Sequence, residues 1–204
     1  MADFDINQIA STLDSEDMIG FTRSFVEDIR KGLNAVNIDR YPWIEEISSG
    51  QWQGVLALGM GGSAAGGDFL SSICDLKGSI PVVVQRDYVI PAWWDDQWLV
   101  IATSHSGNTE EAIEATEIAL KSGATVIVIS TGGILSGLAE LHYNCYLIPS
   151  IGGQPPRSAF GHIFARQLAL FRCLGIIPSD NDDQAMLTRL QAVVEEYDLS
   201  LIHI

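Results

Sequence analysis

From Gly54 onward the chain repeats one format, a short and nearly continuous Val/Ile/Leu run followed by a stretch with helical spacing. The runs are VLALG, PVVVQ, WLVIATS, ATVIVIS and NCYLIPS; AAGGDFLSSIC, TEEAIEATEIALKSG and ILSGLAELHY lie between them. A strand that is apolar on both faces has to be covered on both sides, which is the condition of a parallel sheet in an α/β protein. With right-handed crossovers, the runs predict a three-layer α/β sandwich around a five-stranded parallel sheet. Ligands of such sheets bind beyond the carboxyl ends of the strands, and the polar loops of this sequence fall there.

The flanks read as helices. Before the first run, MIGFTRSFVEDIRKGLNAVN places Ile19, Phe25, Ile29 and Leu33 at three- to four-residue spacing, with Ser15 or Asp17 as candidate cap, and Tyr41-Pro42 breaks the pattern. After the fifth run, RSAFGHIFARQLALFRCLG predicts a strongly apolar helix, whose surface is expected to make the protein self-associate. The organisation expected is a helical lead-in over 1–50, the sandwich over 51–178 and a further helical segment over 179–198.

The 204-residue length suits one domain. A net charge of −15 argues against nucleic acid, whose phosphates need a Lys/Arg surface. It does not exclude a phosphorylated small molecule, because surface charge is screened beyond about 8 Å at physiological salt. Cys74, Cys145 and Cys173 are isolated from one another, the pattern of reduced thiols in a cytoplasmic protein. The N-terminus shows no secretion signal, and no apolar run approaches the roughly 20 residues of a membrane span.

Three loops carry the chemistry. GMGGSAAGG, residues 59–67, follows the first strand; its glycines admit close backbone approach of a ligand, and Ser63 sits where a helix begins. Gly59, Gly61 and Ala64 also satisfy a dinucleotide-binding spacing, and a tight turn without ligand would read the same way. In the second loop Ser104, His105, Ser106, Gly107, Asn108 and Thr109 open a helix. Three hydroxyls there converge on unpaired backbone N–H groups, where the helix dipole favours a phosphate. Capping by Asn108 or Thr109 would account for one hydroxyl. The third loop, residues 152–161, sets Arg157 at a helix start, against its preference for the dipole, as if awaiting an anion; a surface ion pair is the bland alternative.

GMGGSAAGGD, SHSGNTEEA and PPRSAFG, in this order and spacing, resemble the N-terminal SIS domain of the bifunctional phosphoglucose/phosphomannose isomerase family. LDSEDMIGFTRSF is similar to that family's helical lead-in, and the resemblance covers roughly residues 11–175. It implies a flavodoxin-like strand order and the interconversion of glucose 6-phosphate, mannose 6-phosphate and fructose 6-phosphate without cofactor or metal. It further implies that Ser104, Ser106 and Thr109 hold the phosphate, that Gly61, Gly62 and Ser63 contact the sugar, and that Arg157 sits beside the reacting carbons. His105 would lie near the ligand, whereas His142 and His162 read as structural. Full-length members act as homodimers, and their glutamate base and histidine acid lie beyond the matched region; Glu195 and Glu196 are not promoted to that role.

The last residues, LSLIHI, are what CTG-TCT-CTT-ATA-CAC-ATC would encode, a string that resembles a transposon end used in sequencing libraries. Residues 199–204 are therefore expected to be adapter sequence, joined where the protein is truncated at its C-terminal side. Two other functions stay open. One is a non-catalytic SIS module that senses a sugar phosphate; the other is a dinucleotide enzyme, which the Gln85-Arg86 end of the second run disfavours.

Overall fold

The computed structural model describes residues 12–179 and 182–197; the N-terminal residues 1–11 and the LSLIHI tail lie outside the described residues. The lead-in includes α1 (Met18–Arg23), α2 (Phe25–Asn34) and α3 (Trp43–Ser48). The sandwich then runs β1 (Gly54–Leu58), α4 (Gly61–Lys77), β2 (Val82–Gln85), β3 (Trp98–Ser104), α5 (Glu110–Lys121), β4 (Val126–Ser130), α6 (Gly133–Leu141) and β5 (Cys145–Pro149). Helices α7 (Phe160–Cys173) and α8 (Asp183–Tyr197) complete it.

The five strands pair in parallel in the order β2-β1-β3-β4-β5, with Val55 opposite both Val82 and Leu99, and Val126 opposite both Val100 and Cys145. Strands β1 and β4 are buried at every residue, and β3 at all but Trp98. Alternation divides their side chains between two cores. Val55, Ala57, Leu99, Ile101, Ile127 and Ile129 pack with Leu70, Leu168 and Phe171 of α4 and α7. Leu56, Val100, Ala102, Val126 and Val128 pack on the other face against Ala112, Ala115 and Ala119 of α5 and Leu135 of α6. The alanines recur on one helix face at spacings of three and four, which lets α5 lie close to the sheet.

The lead-in differs from a single continuous helix. Ser24 interrupts it, its hydroxyl donating to the Phe21 carbonyl at 3.1 Å and reaching the Asp28 carboxylate at 3.3 Å. The cap is neither Ser15 nor Asp17. Asp14 accepts from the N–H groups of Met18 and Ile19 at 2.8 and 2.9 Å, while Asp17 itself takes a left-handed φ of 53°. Pro42, at φ −58°, does more than end the pattern, because α3 starts directly after it.

Helix α7 is buried over most of its surface because it is enclosed by the protein itself, with the sheet on one side and α2 on the other. The expected drive to self-associate through this helix therefore loses its basis: Ile163, Ala165, Leu168, Leu170 and Phe171 are all buried within the fold. Gly32 marks where α2 approaches, since a Cβ there would lie 2.6 Å from Ala165 Cβ and 2.8 Å from the His162 carbonyl oxygen.

Two helical glycines should therefore behave oppositely. Gly32→Ala is expected to destabilise the fold by roughly 1–3 kcal/mol, because its backbone neighbour cannot yield. Gly137→Ala, with nothing within 4 Å of the added Cβ, is expected to stabilise by about 0.5–1 kcal/mol through helix propensity. Urea midpoints of the two variants check both signs.

Candidate functional site at the carboxyl edge of the sheet

Strand order reverses between β1 and β3, so the loops that follow these two strands flank a crevice at the carboxyl edge. After β1 the backbone turns at once into α4, with Gly61 at φ +52°. A Cβ on Gly59 would meet the Thr103 carbonyl oxygen at 3.0 Å and the Ala64 nitrogen at 3.2 Å. Buried Gln167 of α7 fastens this turn from below, its Nε2 donating to Thr103 Oγ1 at 2.9 Å and to the Ser63 carbonyl at 3.4 Å.

After β3 the serine loop folds on itself. Ser104 Oγ and Thr109 Oγ1 share a hydrogen bond of 2.8 Å; the Gly107 N–H donates to Ser104 Oγ at 3.1 Å, and the Asn108 N–H to Ser106 Oγ at 3.2 Å. Gly107, at φ +71°, is held against α6, where a Cβ would lie 1.8 Å from the Gly132 carbonyl oxygen. Neither candidate cap caps: Thr109 occupies the N-cap position of α5 without a side-chain bond to the helix, and Asn108 Oδ1 accepts from the Ile134 N–H at 3.2 Å. The hydroxyls thus gather at the positive end of α5, where none of them caps the helix.

The third loop crosses over both. Arg157 lies in the turn before α7 rather than in its first helical position, and is exposed. Together with Gly62 it lines a cavity of about 530 Å³ whose apolar wall includes Met18, Phe21 and Phe25 of the lead-in. Among the described residues no carboxylate lies within ion-pair distance of Arg157, so the bland pairing is not made. Gly61, Gly62, Ser63, Ser104, Ser106, Thr109 and Arg157 all sit at this one edge.

His105 meets the third loop, its Nε2 lying 2.9 Å from the Gln154 carbonyl oxygen. A carbonyl only accepts, so Nε2 carries the proton. Below it lies a buried polar cluster that sequence reasoning misses. Gln154 Nε2 donates to Asp28 Oδ2 at 2.9 Å; His162 Nδ1 lies 3.1 Å from Ser150 Oγ; Arg166 donates to the carbonyls of Pro149 and His162 at 3.2 and 3.0 Å. Burial, reinforced by the Arg166 charge and only partly opposed by Asp28, pushes the His162 pKa down to about 4, so its ring is neutral at physiological pH. The signal is present in the sequence: Asp28 occupies a core position in the Phe25, Ile29, Gly32, Leu33 stripe, and His162 and Arg166 stand one turn apart on an apolar helix. His142, by contrast, follows α6 and lies away from this edge.

No cluster of three or more His, Cys, Asp or Glu suited to a metal occurs among the described residues. The end of β2 does not suit a dinucleotide ribose either: Gln85 Nε2 bonds the Val89 carbonyl, and Arg86 pairs with Asp68 of α4.

No protein-family profile matches the sequence. A bifunctional phosphoglucose/phosphomannose isomerase of Caldicellulosiruptor bescii is 44% identical over 145 residues, 70% of this chain and 42% of that protein. Over these residues the chain is similar to bifunctional phosphoglucose/phosphomannose isomerases, a second of which, from Thermoplasma volcanium, is 39% identical over 125 residues. The chain spans about two fifths of the length of the curated relatives it matches. Among solved structures, tagatose-6-phosphate ketose/aldose isomerase from Escherichia coli superposes with a TM-score of 0.64 at 21% identity, over 86% of this chain and 54% of that one. The Vibrio vulnificus NanR protein complexed with ManNAc-6P does so at 0.59 and 17%, over 92% and 72%. At these identities the two structures attest the fold, a five-stranded parallel α/β sandwich shared with phosphosugar isomerases.

The neutral His162 gives the protein a pH signature. Its pKa is lower folded than unfolded, so between pH 6.5 and about 4 the unfolded state holds a proton that the folded state refuses. Stability should thus fall as the pH is lowered through that window, by at most about 1.4 kcal/mol per unit. Urea unfolding at stepped pH is expected to show this slope in the wild type and a shallower one in His162→Asn.

Proposed function

We propose that this chain supplies the phosphate- and sugar-binding half of an enzyme that interconverts glucose 6-phosphate or mannose 6-phosphate with fructose 6-phosphate. The observation that carries the reading is the serine loop. Ser104, Ser106 and Thr109 bring three hydroxyls to the start of α5 without capping it. A phosphate seated there would accept from those hydroxyls and from the first N–H groups of the helix. Its sugar would extend toward Gly61, Gly62 and Ser63, and Arg157, which shares a cavity with Gly62, would face the reacting carbons.

Aldose–ketose isomerisation passes a proton between adjacent carbons through an enediolate. A fixed guanidinium stabilises the oxyanion that develops, and it does so best where water is excluded, as the apolar wall of Met18, Phe21 and Phe25 would favour. Proton transfer also needs a base, and ring opening an acid. We assign both to the part of the family's sequence that lies beyond the matched region. Exposed Glu195 and Glu196 on α8 remain without a role. The reading carries a cytoplasmic location, to which three free cysteines are suited, and a homodimer as the working assembly of the full-length enzyme. No helix is long and apolar enough to cross a membrane among the described residues.

A second reading is a sugar-phosphate sensor; the NanR neighbour, which shares the fold, is complexed with ManNAc-6P. Both readings share the phosphate loop and differ in whether chemistry follows binding.

Calorimetric titration tests the shared step. The combined variant Ser104→Ala, Ser106→Ala, Thr109→Ala is expected to bind fructose 6-phosphate at least tenfold more weakly than the wild type, the scale of losing about 1.4 kcal/mol of hydrogen bonding to a charged group. Unchanged affinity would remove the phosphate from this loop.

A further inference from the structure

We propose that Gln154 is a positioning residue, which with His105 and Asp28 fixes the Arg157-bearing loop against both the serine loop and the helical lead-in. The inference rests on the proposed sugar-phosphate reading of the site.

The loop from Ser150 to Ala159 has no regular structure, and Gly153 within it stands at φ +89°. It is tied at its start and folded on itself at its end. The Ser150 N–H donates to the Ser130 carbonyl at 2.7 Å, and the N–H groups of Ser158 and Ala159 donate to the Pro155 carbonyl at 3.0 and 3.2 Å. Between these ties Gln154 makes two contacts in opposite directions. Its carbonyl accepts from His105 Nε2 at 2.9 Å, which binds it to the loop that holds the serines. Its side-chain amide donates to Asp28 Oδ2 at 2.9 Å, which binds it to α2.

Asp28 is only 5% exposed. A carboxylate so placed depends on donors, and Gln154 supplies one, with the Ser24 hydroxyl within reach at 3.3 Å. The contact therefore serves both sides: the helix gains a partner for a buried charge, and the loop gains an anchor in the core.

The residues after Gln154 pass that anchorage on. Pro155 comes next, which confines Gln154 to extended backbone, and each proline ring holds its own φ near −65°. Arg157 is the third residue after the anchor, with little freedom between. Such stiffness suits a cation that must wait where negative charge will develop, since a displacement of about 1 Å can cost about a hundredfold in rate.

Amide hydrogen exchange on the whole 204-residue protein, together with calorimetry, tests the assignment. In Gln154→Leu and in His105→Phe the Ser158 and Ala159 amides should exchange about tenfold faster, the scale of one lost hydrogen bond to a charged or buried partner, while the amides of β3 and β4 keep their wild-type rates. His105→Gln, which keeps a donor near the Nε2 position, and Asp28→Asn, which keeps an acceptor, should stay within about twofold. In Gln154→Leu the affinity for fructose 6-phosphate should drop about tenfold, whereas that for inorganic phosphate, held by the serine loop alone, should change less than about twofold. Unchanged exchange at Ser158 and Ala159, acceleration spread equally through the sheet, or equal losses for the two ligands would each overturn the proposal. A wild-type protein that takes up no fructose 6-phosphate would sink the functional reading instead, and the exchange rates would still decide whether Gln154 holds the loop.

Discussion

Burial of β1, β3 and β4 on both faces leaves these strands no room for polar side chains except at one edge. Thr103, Ser104 and Ser130, the buried hydroxyls of the sheet, all stand at the carboxyl ends of β3 and β4. Each is satisfied locally: Thr103 by Gln167, Ser104 by Thr109 and the Gly107 N–H, and Ser130 by the Gly132 carbonyl. A buried hydroxyl without such a partner would cost about 1–3 kcal/mol. The strand ends therefore organise the loops beyond them, and the site is a consequence of how an apolar sheet terminates.

Helix α7 carries that organisation outward. One face closes the sheet through Leu168, Leu170 and Phe171; another receives α2 at Ala165; and between them His162, Arg166 and Gln167 present polar groups within two turns. Gln167 holds the β1 turn, Arg166 holds the end of β5, and His162 meets Ser150 where the third loop departs. Burial lowers the pKa of Arg166 and that of His162; the carbonyls of Pro149 and His162 offset part of the cost for Arg166, and His162 stays neutral. A helix that looks from its composition like an interaction surface is instead the internal frame on which three loops meet.

The sheet and the loops are legible in the sequence because their signals are local. Continuous runs such as VIVIS have few other uses in a protein of this size, and glycines such as Gly107 stand where a Cβ would strike the Gly132 carbonyl. Less is legible where partners are far apart in sequence. Asp28 and Gln154 are separated by 126 positions, and nothing near either one announces the bond between them. Asp14 is hard to recognise as a cap because two better-placed candidates, Ser15 and Asp17, stand closer to the helix; Asp17 instead takes the left-handed turn that lets Asp14 reach back. His105 stands between two serines, and nothing in that setting announces that its ring meets the Gln154 carbonyl, 49 positions away.

The central claim is that the start of α5 holds a phosphate while Gly62 and Arg157 hold the sugar it carries. A crystal structure of this protein soaked with fructose 6-phosphate tests it most directly. The account predicts the phosphate within hydrogen-bond distance of Ser104, Ser106 and Thr109, about 2.5–3.2 Å, with the Arg157 guanidinium turned toward the oxygens of the first two sugar carbons. A sugar phosphate seated elsewhere, with the Ser104–Thr109 hydrogen bond of 2.8 Å undisturbed, would contradict it.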